Sequence, residues 1–95
     1  MIDPDSLNPF ETLERLTRVV RELATAQLAE WQARDDMYIA GVDQGFNHSQ
    51  SERFAQIEAR EFVATRRRLE AEVEACRLEH DMAVVMFTRG DPPTT

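Results

Sequence analysis

The sequence predicts an all-α fold, an antiparallel two-helix hairpin, and three observations predict it. Two long stretches, near 9–40 and 50–88, carry apolar residues at steps of three and four. Each is fenced by helix start and stop signals: Asn8-Pro9-Phe10-Glu11 opens the first, Ser49-Gln50-Ser51-Glu52 the second. Gly41 or Gly45 closes the first, and Gly90 with Pro92-Pro93 closes the second. The link between them is short, so the helices should be antiparallel neighbours. Little chain is left for a sheet or a second domain, and residues 1–95 read as a single domain.

Residues 1–8 form an N-terminal arm. Asn8 reads as an N-cap, Pro9 as the first helical residue and Glu11 as the returning carboxylate of a capping box. The first helix then carries Phe10, Leu13, Leu16, Val20, Leu23, Leu28, Trp31 and Tyr38 as its apolar stripe. Leu13 and Ala24 are eleven apart, as are Val20 and Trp31, so the stripe should drift with the helix and not hold a strict heptad. Residues 41–48 read as the connection, with Val42 and Phe46 turned inward. Ser49 and Glu52 then have capping-box spacing.

In the second helix, Phe54, Ile57, Phe62 and Val63 make a broad apolar face. Leu69, Val73, Cys76, His80, Ala83 and Phe87 follow at heptad steps. Arg66-Arg67-Arg68 interrupts the pattern, which leaves continuity through Thr65–Arg68 open. Residues 90–95 should fray. With the turn centred near residue 45, facing numbers sum to roughly 90. Leu16 then meets Val73, Leu13 meets Cys76 and Phe10 meets His80. The second helix outruns the first, and the overhang Met82-Ala83-Val84-Val85-Met86-Phe87 is apolar on every side. A helix apolar all round must be buried all round, and only Ile2 and Leu7 of the arm can cover it within the chain. Met82, Val84, Val85, Met86 and Phe87 are therefore interface candidates. A symmetry mate, a different protein or pairing with a sheet edge are the open ways to cover them.

Charge narrows the partners. Eighteen acids against eleven bases leave a net charge of −7, which argues against general nucleic-acid or anionic-membrane binding. All the bases are arginine. Arg53, Arg60 and Arg67 recur every seven residues and read either as a stripe for an acidic partner or phosphates, or as a solvated face paired with Glu30, Asp35, Asp36 or Glu58. Trp31 and Tyr38 fit the core face, and an interface anchor is the other role open to Trp31. No signal peptide or membrane span is read, so the expected location is cytoplasmic or virion-associated.

The candidate chemistry is thin. Cys76 is the only cysteine, so no intrachain disulfide forms. Cys76, His80 and Glu72 share a helix face, but zinc needs further ligands and a helix stripe offers neither cleft nor oxyanion hole. Neither a catalytic, a cofactor-binding nor a metal-binding residue is assigned. His80 should find a carboxylate or backbone carbonyl, and if it is buried at an interface, assembly should weaken below about pH 6. The length and paired helices resemble, in shape alone, the Trp-x-Gly family of small secreted helical hairpins. Trp31 is followed by Gln32-Ala33 and Tyr38 has Val42 four residues on, so the family's motifs are missing and no residue role carries over.

The expected function is a non-enzymatic structural or assembly protein. The hairpin would complete its core as a homo-oligomer or as a subunit docked in a larger assembly, such as a phage virion or similar particle. A regulatory adaptor or inhibitor that sequesters a protein partner is the alternative, and an enzyme dependent on metal or on the Cys76 thiol is a third reading.

Overall fold

A computed structural model describes residues 8–89. Among the described residues there are three helices and no strand: α1 (Pro9–Asp43), α2 (His48–Glu58) and α3 (Arg60–Arg89). The all-α expectation holds. The second arm, expected as one helix, is two. The arm with Ile2 and Leu7, the stop signals at Gly90, Pro92 and Pro93, and the expected frayed tail lie outside the described residues.

α1 starts where its signals place it. The Asn8 side-chain oxygen accepts the Phe10 N–H at 2.8 Å and the Glu11 N–H at 3.4 Å, and Pro9 sits at the first position. The Glu11 carboxylate makes no return bond among the described residues. α1 then runs past its expected end, straight through Gly41. It stops at Gly45, whose φ of 90° suits only glycine. There the Phe46 N–H reaches back to the Gly41 carbonyl at 3.0 Å and the Gly45 N–H to the Val42 carbonyl at 2.9 Å. That pair of bonds is a Schellman closure, and it satisfies carbonyls the helix end would leave orphaned.

Gly41 serves a different purpose. It is buried, and a Cβ there would lie 3.1–3.3 Å from Ser51 Oγ, Ser51 Cα and the Phe46 ring. It lets the two arms touch beside the turn. The connection is therefore 44–47, shorter than the expected 41–48. α2 also begins earlier than expected. Asn47 is the cap, accepting the Gln50 N–H at 2.9 Å while the Gln50 side chain accepts the Asn47 N–H at 3.0 Å. Asparagine caps as well as serine, and Asn47 comes first after the turn, so the Ser49–Glu52 box is not used.

The second arm bends at Ala59, and α3 is continuous through Thr65–Arg68, where a break was open. Ala59 sits at φ −91°, ψ 4° and is fully buried. Helical bonding carries across it: the Ala59 N–H reaches the Ala55 carbonyl at 3.0 Å, and the Val63 N–H reaches the Ala59 carbonyl at 3.1 Å. The inward positions explain the bend. Ser51, Ala55, Ala59 and Val63 step by fours, and each such step rotates the inward face by about 40° in a straight helix. Without a local turn, the arm would roll off α1 before reaching Arg66 and Leu69.

α1 lies antiparallel to α2 and α3 and packs against both, in a body of 74 × 20 × 15 Å. Its inward row is Thr12, Leu16, Val19, Leu23, Ala26, Glu30, Ala33 and Met37, all buried or half-buried. The steps alternate four and three, a heptad row where a drifting one was expected. Arg66, Leu69, Val73, Cys76, His80 and Ala83 face it from α3. Thr12, not Phe10, meets His80, so the register differs from the expected one by about two positions at that end. The bend at Ala59 and the shorter turn account for the slip.

The core is small. Among the described residues, the buried hydrophobic side chains are Val19, Ala55, Ala59, Leu69 and Ala83. Two of these are larger than alanine.

Candidate protein interface

The seam between the arms is partly polar, and its polar groups find partners. Glu30 is 6% exposed and pairs with Arg66 of α3. Arg66 also reaches Glu70 at 2.5 Å, while Arg34 stands 3.8 Å from Glu30. The bonds to Glu30 and Glu70 raise the pKa of Arg66 above its already high value, so its charge is permanent. Arg15 bridges to Glu79 of α3 and not to Glu11 on its own helix. His80 is half-buried, and its Nδ1 lies 2.9 Å from Thr12 Oγ1. The Thr12 hydroxyl donates to the Pro9 carbonyl at 3.1 Å. His80 is satisfied inside the chain by a hydroxyl, not by the carboxylate or carbonyl expected, and it is not placed as an interface switch.

Cys76 and His80 lie one turn apart on the seam face of α3. Cys76 is a half-buried seam residue. Glu72 is exposed, and no three His, Cys, Asp or Glu converge as a metal site among the described residues. At the turn end, the Tyr38 hydroxyl lies 2.8 Å from His48 Nδ1, and His48 Nε2 lies 3.6 Å from Glu52. Sequence reasoning missed this row because its members come from opposite sides of the turn. His48 and Glu52 are exposed, and the hollow beside them, about 270 Å³ and lined by Trp31, Tyr38, Glu52 and Ala55, is open to water.

The arginine stripe divides at the bend: Arg53 lies on α2, Arg60 and Arg67 on α3. All three are exposed and make no ion pair among the described residues. Glu30, offered as their partner, is taken by Arg66 and Arg34.

The apolar surface lies elsewhere. Trp31 is 72% exposed and Phe10 76%, with Leu13, Val20 and Leu28 also on the outside of α1. These residues, expected in the core, are not in it. The reason is that α1 carries two rows. The inward row mixes Leu16, Val19, Leu23 and Met37 with small and polar residues; the second row runs Phe10, Leu13, Thr17, Val20, Ala24, Gln27, Trp31, Arg34 and Tyr38, again by threes and fours. It is rotated from the seam by about 110° at 100° per residue. The expected stripe took Leu16 and Leu23 from one row and the rest mostly from the outside. Along this helix an open trough of about 1070 Å³ runs from Phe10 to Ala29 and meets α3 at Thr65 and Leu69.

At the far end, Met82, Val84, Val85, Met86 and Phe87 are exposed, while Ala83 is fully buried against α1. With Thr12 facing His80, α3 runs between one and two turns beyond the position that faces Pro9. No helix of the described residues is long and apolar enough to cross a membrane. No protein-family model, curated protein or solved structure matches the chain.

Proposed function

We propose that this chain is a non-catalytic assembly protein, an acidic helical hairpin that buries its outer apolar faces against other protein chains. One observation carries the reading: among the described residues two hydrophobic side chains larger than alanine are buried, Val19 and Leu69, while fifteen large ones stay exposed, Trp31 and Phe10 foremost. A core that small falls short of the entropy of ordering two arms. Exposed apolar surface on this scale marks an interaction site. Met82, Val84, Val85, Met86 and Phe87 at the end of α3 are exposed as well. The net charge of −7 keeps such a surface away from nucleic acid and anionic lipid and favours protein partners.

A dilute sample tests this. The chain at low concentration should melt broadly and bind a hydrophobic dye such as bis-ANS, and both signs should fade when its partner covers it. A dilute monomer that melts sharply and binds no dye contradicts the proposal. The adaptor reading rests on exposed Trp31, an efficient anchor for a different protein. It requires that the pure chain stay monomeric until that protein is added.

A further inference from the structure

We propose that the partner is a second copy of this chain, docked antiparallel along the outer row of α1 with the two-fold axis between Ala24 and Gln27. This rests on the assembly reading above and names its occupant. A helix needs one heptad row for one neighbour. α1 already has its neighbours in α2 and α3, through the row that includes Val19 and Leu23. Its second row keeps the same alternation from Phe10 to Tyr38, about 42 Å of helix at 1.5 Å per residue, and lies outside the seam except at its last two members, where Arg34 stands 3.8 Å from Glu30 and the Tyr38 hydroxyl 2.8 Å from His48 of α2. Such spacing is the pattern by which one helix accepts another.

The row matches itself when reversed. In an antiparallel alignment whose facing numbers sum to 51, Leu13 meets Tyr38 of the second copy, and Val20 meets its Trp31. Symmetry repeats both contacts. Ala24 meets Gln27 at the centre, so the small residue lies where the backbones come closest. Arg34 meets Thr17 of the second copy, one turn from its Glu14. A parallel alignment would set each residue against itself, and Arg34 against Arg34 would place like charges in the seam. Charge therefore selects the antiparallel arrangement. Phe10 and Trp31 carry roughly 150–250 Å² each. In this register Phe10 falls opposite Gly41 of the second copy, which is buried in its own seam, so the apolar centre is Leu13, Val20, Trp31 and Tyr38, a contact smaller than the about 800 Å² per partner of a standard interface.

Cross-linking in a Cys76→Ser background, read beside sedimentation equilibrium, tests the geometry. Ala24→Cys should form a cross-linked dimer with a short bismaleimide, and Leu13→Cys should not, because its two copies stand about 37 Å apart along the axis. Trp31→Asp should shift the native mass to monomer and lower helical circular dichroism with it; since Trp31 is 72% exposed in the single chain, that loss reports the contact between copies. Cross-linking of both cysteines overturns the antiparallel seam. An oligomer in which Ala24→Cys fails to link and Trp31→Asp changes nothing also overturns it, but leaves the assembly reading standing. A chain that is monomeric at every concentration removes the second copy as partner. The dye and melting measurements then decide whether the assembly reading survives.

Discussion

At the scale of single residues, position on a helix decides what an ordinary side chain does. Glu30 and Arg66 face each other in the seam, and Glu30 is nearly sealed from water. Removing Arg66 strands a buried carboxylate, whereas removing Arg34 leaves Glu30 its better partner. Arg66→Ala should therefore destabilise more than Arg34→Ala in urea unfolding at fixed protein concentration, and equal effects would contradict the assignment. Replacing both partners, Glu30→Leu with Arg66→Leu, should recover what Arg66→Ala loses, because a well-packed apolar pair commonly matches or betters a buried ion pair. The raised pKa of Arg66 adds no pH dependence in the working range. A cation with a raised pKa gives its full stabilisation below its unfolded pKa and loses it only as pH rises through the folded one. For a guanidinium both lie above about 12. Gly41 and Ser51 make the other sharp point. Gly41→Ala forces a methyl to within 3.1–3.3 Å of Ser51 and Phe46 and should cost about 1–3 kcal/mol. Ser51→Ala should be neutral or stabilising by up to about 1 kcal/mol, because the buried Ser51 hydroxyl has no hydrogen-bond partner.

At the scale of elements, termini were easier to read than faces. Asn8 and Pro9 announce α1 because cap chemistry is local. The turn was legible in kind: Gly45 supplies the positive φ that only glycine takes without strain. Its cap was missed by two residues, since Asn47, Ser49 and Ser51 all have suitable side chains and only the tertiary turn selects among them. Asn47→Ala should cost about 1 kcal/mol. Gly45→Ala should cost about 1–2 kcal/mol from the left-handed backbone alone, as no atom lies within 4 Å of the added Cβ. Thermal melts of both variants at matched concentration check this, and a silent Asn47→Ala would mean that Ser49 takes over the cap. The bend at Ala59 carries no Pro or Gly to announce it; it follows from the phase of the inward face, which needs the partner helix to be known. The α1 stripe was misread for a related reason. Size alone predicts that large apolar residues form the core, yet Thr12, Ala26, Glu30 and Ala33 share the seam with Leu16, Val19 and Leu23 while Phe10 and Trp31 stand outside. The sequence of α1 contains two heptad rows, and size alone does not tell which one is used within the chain. In α3 one row dominates, and Leu69, Val73, Cys76, His80 and Ala83 were read correctly, with Phe87 the exception at the open end.

At the scale of the whole molecule, the two arms form a thin body in which every helix keeps much of its surface in water. Polar groups set the register between them: Thr12 with His80, Arg15 with Glu79, and Glu30 with Arg66. Such contacts fix alignment better than they stabilise, so the apolar rows must supply the stability. The inward row offers Leu16, Val19, Leu23 and Met37, and the outer row of α1 adds Phe10, Leu13, Val20, Trp31 and Tyr38. Completing the core with a second copy makes folding and association one equilibrium. The most direct test is the melting temperature of the pure chain measured over a wide range of protein concentration. The account predicts that it rises steadily with concentration, as mass action requires when the associated state is the folded one. A sharp transition at one temperature, independent of concentration, would contradict it.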